Sequence, residues 1–278
     1  MKNSLSKIVI HLIWWTRFLF KTALLSVYIP YPVFQRVGLF RHGEMDDTVY
    51  AKKKWTLHYS AVCQFGEIDK KSSFLELGPG DSLNSASNAK NEGFKHAVLV
   101  DVDAFAADST QVLAVLNRDT KTGHSELRDE PSFLCEYLTD GEKSLASLQD
   151  SVTSFVFSNS VLQHIDYDRL DSVLYQLFRI TTKGGKQSHV IDLRDMIDRS
   201  NLHFQCPSWI WESKFFRKLP IYTNRHNCSS WIKIIRASGF EVLDLKLHGD
   251  DGVILESQLA KFDPNRLVSS LHIVLEKK

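Results

Sequence analysis

From Ser73 onward the chain alternates short apolar runs with helix-periodic stretches. Phe74 to Leu77, Ala97 to Val102 and Phe155 to Ser158 are apolar runs bounded by polar or glycine-bearing segments, and they read as buried strands. Between them Ser85 to Asn91 reads as a helix. Asp168 to Thr181 carries Leu170, Val173, Leu174, Leu177 and Phe178 at helical spacing. Phe133 to Tyr137 is a third candidate strand and Ser188 to Leu193 a fifth, with Gly184-Gly185 closing the helix between. A helix from Ser229 to Ala237, ending at Gly239, leads into Phe240 to Leu247, and a last strand runs Leu271 to Leu275. Two strands after the last helix predict an antiparallel closing hairpin. Strand–helix alternation of this kind predicts a doubly wound α/β domain whose seven-stranded sheet is mostly parallel with an antiparallel last strand. Helices cover both faces, and ligands bind at the carboxyl ends of the strands.

The segment before this core has a different pattern. Ile8 to Phe34 is rich in aromatic and aliphatic residues but is interrupted by His11, Arg17 and Lys21, so it is neither a clean spanning helix nor a signal peptide. At 100° per residue Lys7, His11, Arg17 and Lys21 fall on one side of a helix, and Ile13, Leu19, Phe20, Ala23 and Leu24 crowd the other. Trp14, Phe18 and Leu25 intrude on the basic side. Two expectations follow: an in-plane helix at the inner membrane face, contacting lipid through residues 7–26, or a helix that covers the core or a substrate site. Ile29-Pro-Tyr-Pro32 ends this helix, and a mixed segment through Arg41 to Thr48 leads to a helix over Val49 to Gln64. The expected organisation is a helical extension over residues 1–65 and an α/β domain over 66–278. A polar, aromatic-rich insertion at 195–227 interrupts that domain.

Composition narrows the partners. The 278 residues carry 34 Lys plus Arg against 33 Asp plus Glu, so no global field recruits nucleic acid. The four cysteines show no CxxC pair, which favours reduced thiols in a cytoplasmic protein; a metal site of Cys206, His226 and Cys228 is the weaker alternative, and no metal is expected.

The chemistry concentrates where the first strand breaks into Glu76-Leu-Gly78-Pro-Gly80-Asp81-Ser82. The glycines permit a tight turn and close approach to a ligand, and Asp81 or Ser82 can cap the next helix. Glu76 would repel a dinucleotide's pyrophosphate, and no full GxGxxG or Walker lysine follows, so the corner suits a cationic ligand. Asp101 ends the second strand 25 residues later, in Val100-Asp-Val-Asp103. Phe157-Ser-Asn-Ser-Val-Leu-Gln-His-Ile165 and Phe178-Arg-Ile-Thr-Thr-Lys-Gly-Gly185 complete an ordered set. Over about Ser72 to Leu193, this order resembles class I S-adenosylmethionine-dependent methyltransferases, which are Rossmann-like. Ser82 departs from a usual third glycine, and Ser154 from a usual acid.

The resemblance implies S-adenosyl-L-methionine as cofactor, held by Glu76, Gly78, Gly80, Asp101, Asp140 near the adenine, and Asn159. Asp103 competes with Asp101 for the ribose hydroxyls. For a hydroxyl acceptor a base is needed, and His164, His189 and Asp192 are the candidates, with Asp195 just beyond. Gly78-Pro-Gly-Asp-Ser82, Ser188-His-Val-Ile-Asp192 and Tyr222-Thr-Asn-Arg225 look loosely like methyltransferases that accompany bacterial cell-surface polysaccharide synthesis. That likeness implies O-methylation of a glycan or another small hydroxylated acceptor. Trp209, Trp211 and Tyr222 would cover its pocket, or form a lid packed on the sheet; Tyr222 to Arg225 would anchor a loop or clamp an acceptor's anion. The competing classes are a non-enzymatic binding or scaffold protein that retains the cofactor fold, and an NAD-dependent oxidoreductase.

Overall fold

A computed structural model describes residues 2–26, 45–106, 109–118, 133–249, 252–254 and 268–278. The proline punctuation at 29–32 and residues 41–44 of the mixed segment lie outside the described residues.

Eight strands form one sheet: β1 (Ser73–Leu77), β2 (His96–Val100), β3 (Leu134–Leu138), β4 (Thr153–Asn159), β5 (Thr181–Asp192), β6 (Glu241–Gly249), β7 (Gly252–Ile254) and β8 (Ser270–Glu276). Their order is β3-β2-β1-β4-β5-β8-β6-β7. The first five are parallel, and β8 runs antiparallel between β5 and β6. This is the expected seven-stranded arrangement with the last strand reversed, extended by the three-residue β7, which pairs antiparallel with β6.

Strand periodicity sorts the core into two faces. Leu75, Leu77, Val98, Val100 and Val156 point to an aliphatic layer under helices α6 (Leu170–Ile180) and α8 (Cys228–Ala237). Phe74, Leu99, Phe155 and Phe157 point to an aromatic layer under α2 (Thr48–Cys63) and α3 (Asn84–Glu92). Trp55 of α2 meets Phe74 edge-on at 4.9 Å, so α2 is part of the sheet's cover. Its start is capped by Asp47, which accepts from the amides of Val49 and Tyr50. Asn227 caps α8 in the same way.

Two local expectations change. The helix α6 ends at Ile180, and Gly184-Gly185 fall inside β5, where they pair with Lys277: Gly184 N donates to Lys277 O and Lys277 N to Gly185 O. Gly184 has φ +74°, a bend in the strand that a glycine accommodates without strain. The N-cap of α3 is Leu83, and Ser82 Oγ accepts from Asn84 N instead. Short helices at Ser109–Arg118 (α4), Glu142–Ser147 (α5) and Ser208–Trp211 (α7) carry too few periodic positions to announce themselves.

The first helix, α1 (Lys2–Ser26), docks on the insertion. Trp14 and Phe18 are buried with Ile197, Trp211, Phe216 and Tyr222 in a third apolar cluster. Trp14 Nε1 donates to Asp195 Oδ2 at 3.0 Å, and Lys21 Nζ donates to the carbonyls of Met196 and Ile197. The side of the helix that carries Lys21 therefore faces protein, where the lipid expectation had placed it outward.

Candidate functional site

The order reverses at β1, with β2 on one side and β4 on the other, and the carboxyl ends around this switch point form the crevice. The backbone dictates its shape: Gly78 and Gly80 have φ +75° and +68°. A Cβ on Gly78 would lie 2.3 Å from the Val161 side chain, so only glycine lets the loop after β4 approach β1 this closely.

Two acids are sunk into this corner. Glu76 is 2% exposed, on the aromatic face of the sheet, and accepts a hydrogen bond from Ser85 Oγ of α3. Burial raises its pKa to about 8 against the opposing Ser85 bond, and Asp101 raises it further. Asp101, at the tip of β2, accepts from Gly80 N at 3.1 Å and from Val102 N at 2.7 Å, tying the glycine turn to the neighbouring strand. Burial raises its pKa to about 6 despite these two bonds. Among the described residues neither acid has a cationic partner. A buried acid pair without a cation, beside backbone stripped of Cβ atoms, fits an amino-bearing, sulfonium ligand and opposes a pyrophosphate.

The remaining cofactor candidates sit on the same edge. Gly141 N donates to Asp101 O, which places Asp140 beside Asp101; Asp140 is exposed, and its amide donates to Ser144 Oγ. Asp103 is exposed, with its carboxylate accepting from Ala104 N. Asn159 ends β4, followed by Ser160 at φ +59°, and its Oδ1 is buried without a hydrogen-bond partner.

Of the three base candidates, two come together. His164 Nδ1 lies 2.8 Å from Tyr222 O. A carbonyl only accepts, so Nδ1 carries the proton and Nε2 keeps its lone pair. Burial lowers the His164 pKa, the Tyr222 carbonyl and Asp192 pull it back, and the ring is neutral at physiological pH. Asp192 is buried at the end of β5, gripped by Arg194 at 2.9 and 3.0 Å and by Arg199 at 3.2 Å, so its oxygens are engaged. Asp195 is likewise committed, to Trp14, Ser200 and the amides of Ile197 and Asp198.

His189 is separate from both. It is fully buried mid-strand, bonded to Ser158 Oγ and Gln187 Oε1 at 2.8 Å each, and burial takes its pKa to about 3. Inward alternation along β5 puts it in the aliphatic layer beneath α6, where it holds β4 to β5. This is a structural position: both ring nitrogens are engaged and the side chain is closed to an acceptor, so His189 does not serve as the expected base.

The insertion also differs from the expected lid. Trp211 and Tyr222 are buried against α1, and of the three expected rings Trp209 alone, 78% exposed, is open. Asn224 Nδ2 donates to Leu162 O and Ile165 O, and Arg225 bonds Glu212, Cys206 O and Ser208 Oγ. Tyr222 to Arg225 thus anchors the loop that carries His164. Where these two segments meet, buried polar atoms accumulate without partners: Gln163 Oε1, Thr223 Oγ1, Asn224 Oδ1 and His226 Nε2.

Sequence reasoning missed His58. Its Nδ1 and His272 Nε2 each lie 2.8 Å from Ser188 Oγ, across the aromatic face. Burial holds the His58 pKa well below the ordinary value, the neighbouring histidines add to this, and Asn159 opposes it. Its Nε2 is buried, and the Asn159 side chain is the hydrogen-bonding group that opposes the shift. A lone histidine in a weakly amphipathic helix carries no motif, so only the fold reveals it. Among the described residues no group of three or more His, Cys, Asp or Glu is placed to hold a metal. Cys63 is exposed, and Cys135, Cys206 and Cys228 are buried.

No family model matches this chain, and no curated protein matches it. Solved structures do. A SAM-dependent methyltransferase from Methanosarcina mazei superposes with a TM-score of 0.51 at 14% identity, over 77% of this chain and 96% of that one. Geranyl diphosphate C-methyltransferase from Streptomyces coelicolor A3(2), in complex with Mg2+, geranyl diphosphate and S-adenosyl-L-homocysteine, gives 0.49 at 12% identity over 79% of each chain. A SAM-dependent methyltransferase from Archaeoglobus fulgidus gives 0.46 at 15% identity, over 78% of this chain and 92% of that one. The first of these likenesses shows the fold: the chain shares the Rossmann-like fold of that methyltransferase.

Proposed function

We propose that the protein transfers a methyl group from S-adenosylmethionine to a hydroxyl of a glycan or small polar molecule. The observation that carries this reading is the buried pair Glu76 and Asp101, without a cationic partner among the described residues, flanking the Gly78–Gly80 turn at the switch point. Glu76 would meet the cofactor's amino group, Asp101 its ribose hydroxyls, and Asn159 its methionine end, while Gly78 and Gly80 would let it rest on backbone. When bound, S-adenosylmethionine supplies an electrophilic methyl group. His164 then takes the acceptor's hydroxyl proton on Nε2, held in register by its Nδ1–H bond to Tyr222. Asp192 favours the charge that His164 acquires. The unpartnered atoms of Gln163, Thr223 and Asn224 supply hydrogen bonds to a polar acceptor.

Incubating the protein with methyl-labelled cofactor and chromatographic fractions of polar cell extract tests the reading. Label should appear in a polar, base-stable ether product. Cofactor binding without label in any fraction would leave a binding protein on the same fold.

A further inference from the structure

The chain offers a second surface that catalysis does not use. On α1 the docked stripe is Trp14, Phe18 and Lys21. At 100° per residue the opposite arc holds Ile8, Val9, Leu12, Ile13, Leu19 and Phe20, and these are 45–68% exposed. Between Ile8 and Phe20, Thr16 is the one polar residue within that arc, and Arg17 flanks it. A helix apolar on both sides, with one side docked, leaves a second apolar face open.

Charge and attachment identify its partner. Residues 1 to 43 contain six Lys plus Arg and no acid; the first is Glu44. Arg17 meets Asp198 and Lys21 the carbonyls of the insertion, which leaves Lys2, Lys7, Arg36 and Arg41 of the sequence: two copies face to face would set these like charges together, whereas an anionic lipid surface complements them. Spanning is ruled out by the dock: the helix is long enough, at 19 residues from Ile8 to Ser26, but it is held along its flank at Trp14 and Lys21 by residues 195–197. It can meet a bilayer only side-on.

We propose that the outward face of α1 lies in the plane of an anionic membrane surface. Trp14 and Lys21 anchor it to the segment directly after Asp192, so the acceptor edge of the sheet is tethered to the lipid. The inference stands apart from methyl transfer, because binding is read without cofactor.

The test is sedimentation of the full chain with phosphatidylcholine vesicles, with and without phosphatidylglycerol. The protein should pellet with the anionic vesicles and release in high salt. Leu12→Glu with Leu19→Glu, both on the exposed arc, should lower partitioning roughly tenfold or more while leaving thermal unfolding unchanged. Phe20→Ser serves as a milder second variant and should lower it in the same direction. Failure of the wild type to pellet with anionic vesicles would overturn the proposal, as would equal pelleting of the charged variant. So would a dimer in solution that the double substitution dissociates without any vesicle binding, which would make a second copy the partner.

Discussion

Replacing Glu76 by Gln tests whether the cofactor corner is built at the expense of stability. Gln keeps the size and can still accept from Ser85, but it cannot ionise. In the wild type, burial raises the Glu76 pKa from its ordinary 4.5 to about 8. Between those values the folded protein holds a proton that the unfolded chain has released, so wild-type stability falls as pH rises. The stabilising proton is fully present below about pH 4.5 and is lost as pH passes 8. At about 1.4 kcal/mol per pH unit the loss is on the order of 5 kcal/mol, undiluted by solvent because the side chain is 2% exposed. Urea unfolding of the cofactor-free wild type and Glu76→Gln, measured from about pH 5 to 8.5, should therefore diverge with rising pH, the variant becoming the more stable. The same variant should bind S-adenosylmethionine more weakly, since it gives up the carboxylate that meets the amino group. Parallel stability curves, or a variant that loses stability at alkaline pH, would refute the reasoning.

Other expectations separate the roles assigned to neighbouring residues. His164→Gln should lower kcat by roughly 10²- to 10⁴-fold with cofactor affinity within twofold, and the wild-type acid limb should lie below pH 6.5 because burial lowers that pKa; rate–pH profiles decide it. His189→Ala should cost about 2–3 kcal/mol in urea unfolding by stripping Ser158 and Gln187 of partners, and leave cofactor binding intact. Trp14→Ala should cost about 3–5 kcal/mol at most, less if α1 simply undocks, and should reduce the near-ultraviolet dichroism of the Trp14–Trp211–Phe216 cluster. Truncation of α1 would disturb the same cluster, so point changes on its outer face are the cleaner probe of the membrane surface.

Much of this was legible because it is local. The β1 turn carries its acid, glycines and apolar strand within nine residues, and α6 displays its buried face by period alone. Long-range arrangements were not legible. Gly184-Gly185 looked like a helix stop, but the helix ended four residues earlier and pairing with Lys277, far along the chain, drew the glycines into β5. His189 sat near the right strand end, yet alternation turned it inward; His164, by contrast, follows the strand in a loop whose tautomer depends on a carbonyl 58 residues away. The destination of α1 rests on Trp14 meeting Asp195 across 181 residues, which no periodicity encodes. The same holds for His58 and Ser188, 130 residues apart.

The central claim is that the Glu76–Asp101 corner holds S-adenosylmethionine. Isothermal titration of the full chain with S-adenosylmethionine and S-adenosylhomocysteine tests it most directly, with Asp101→Ala and NAD(H) in parallel. The account predicts saturable one-to-one binding of both cofactor forms, weakened at least about tenfold by Asp101→Ala, and weaker binding of NAD(H). Absence of heat from either form at high micromolar concentration, or preference for NAD(H), would contradict it.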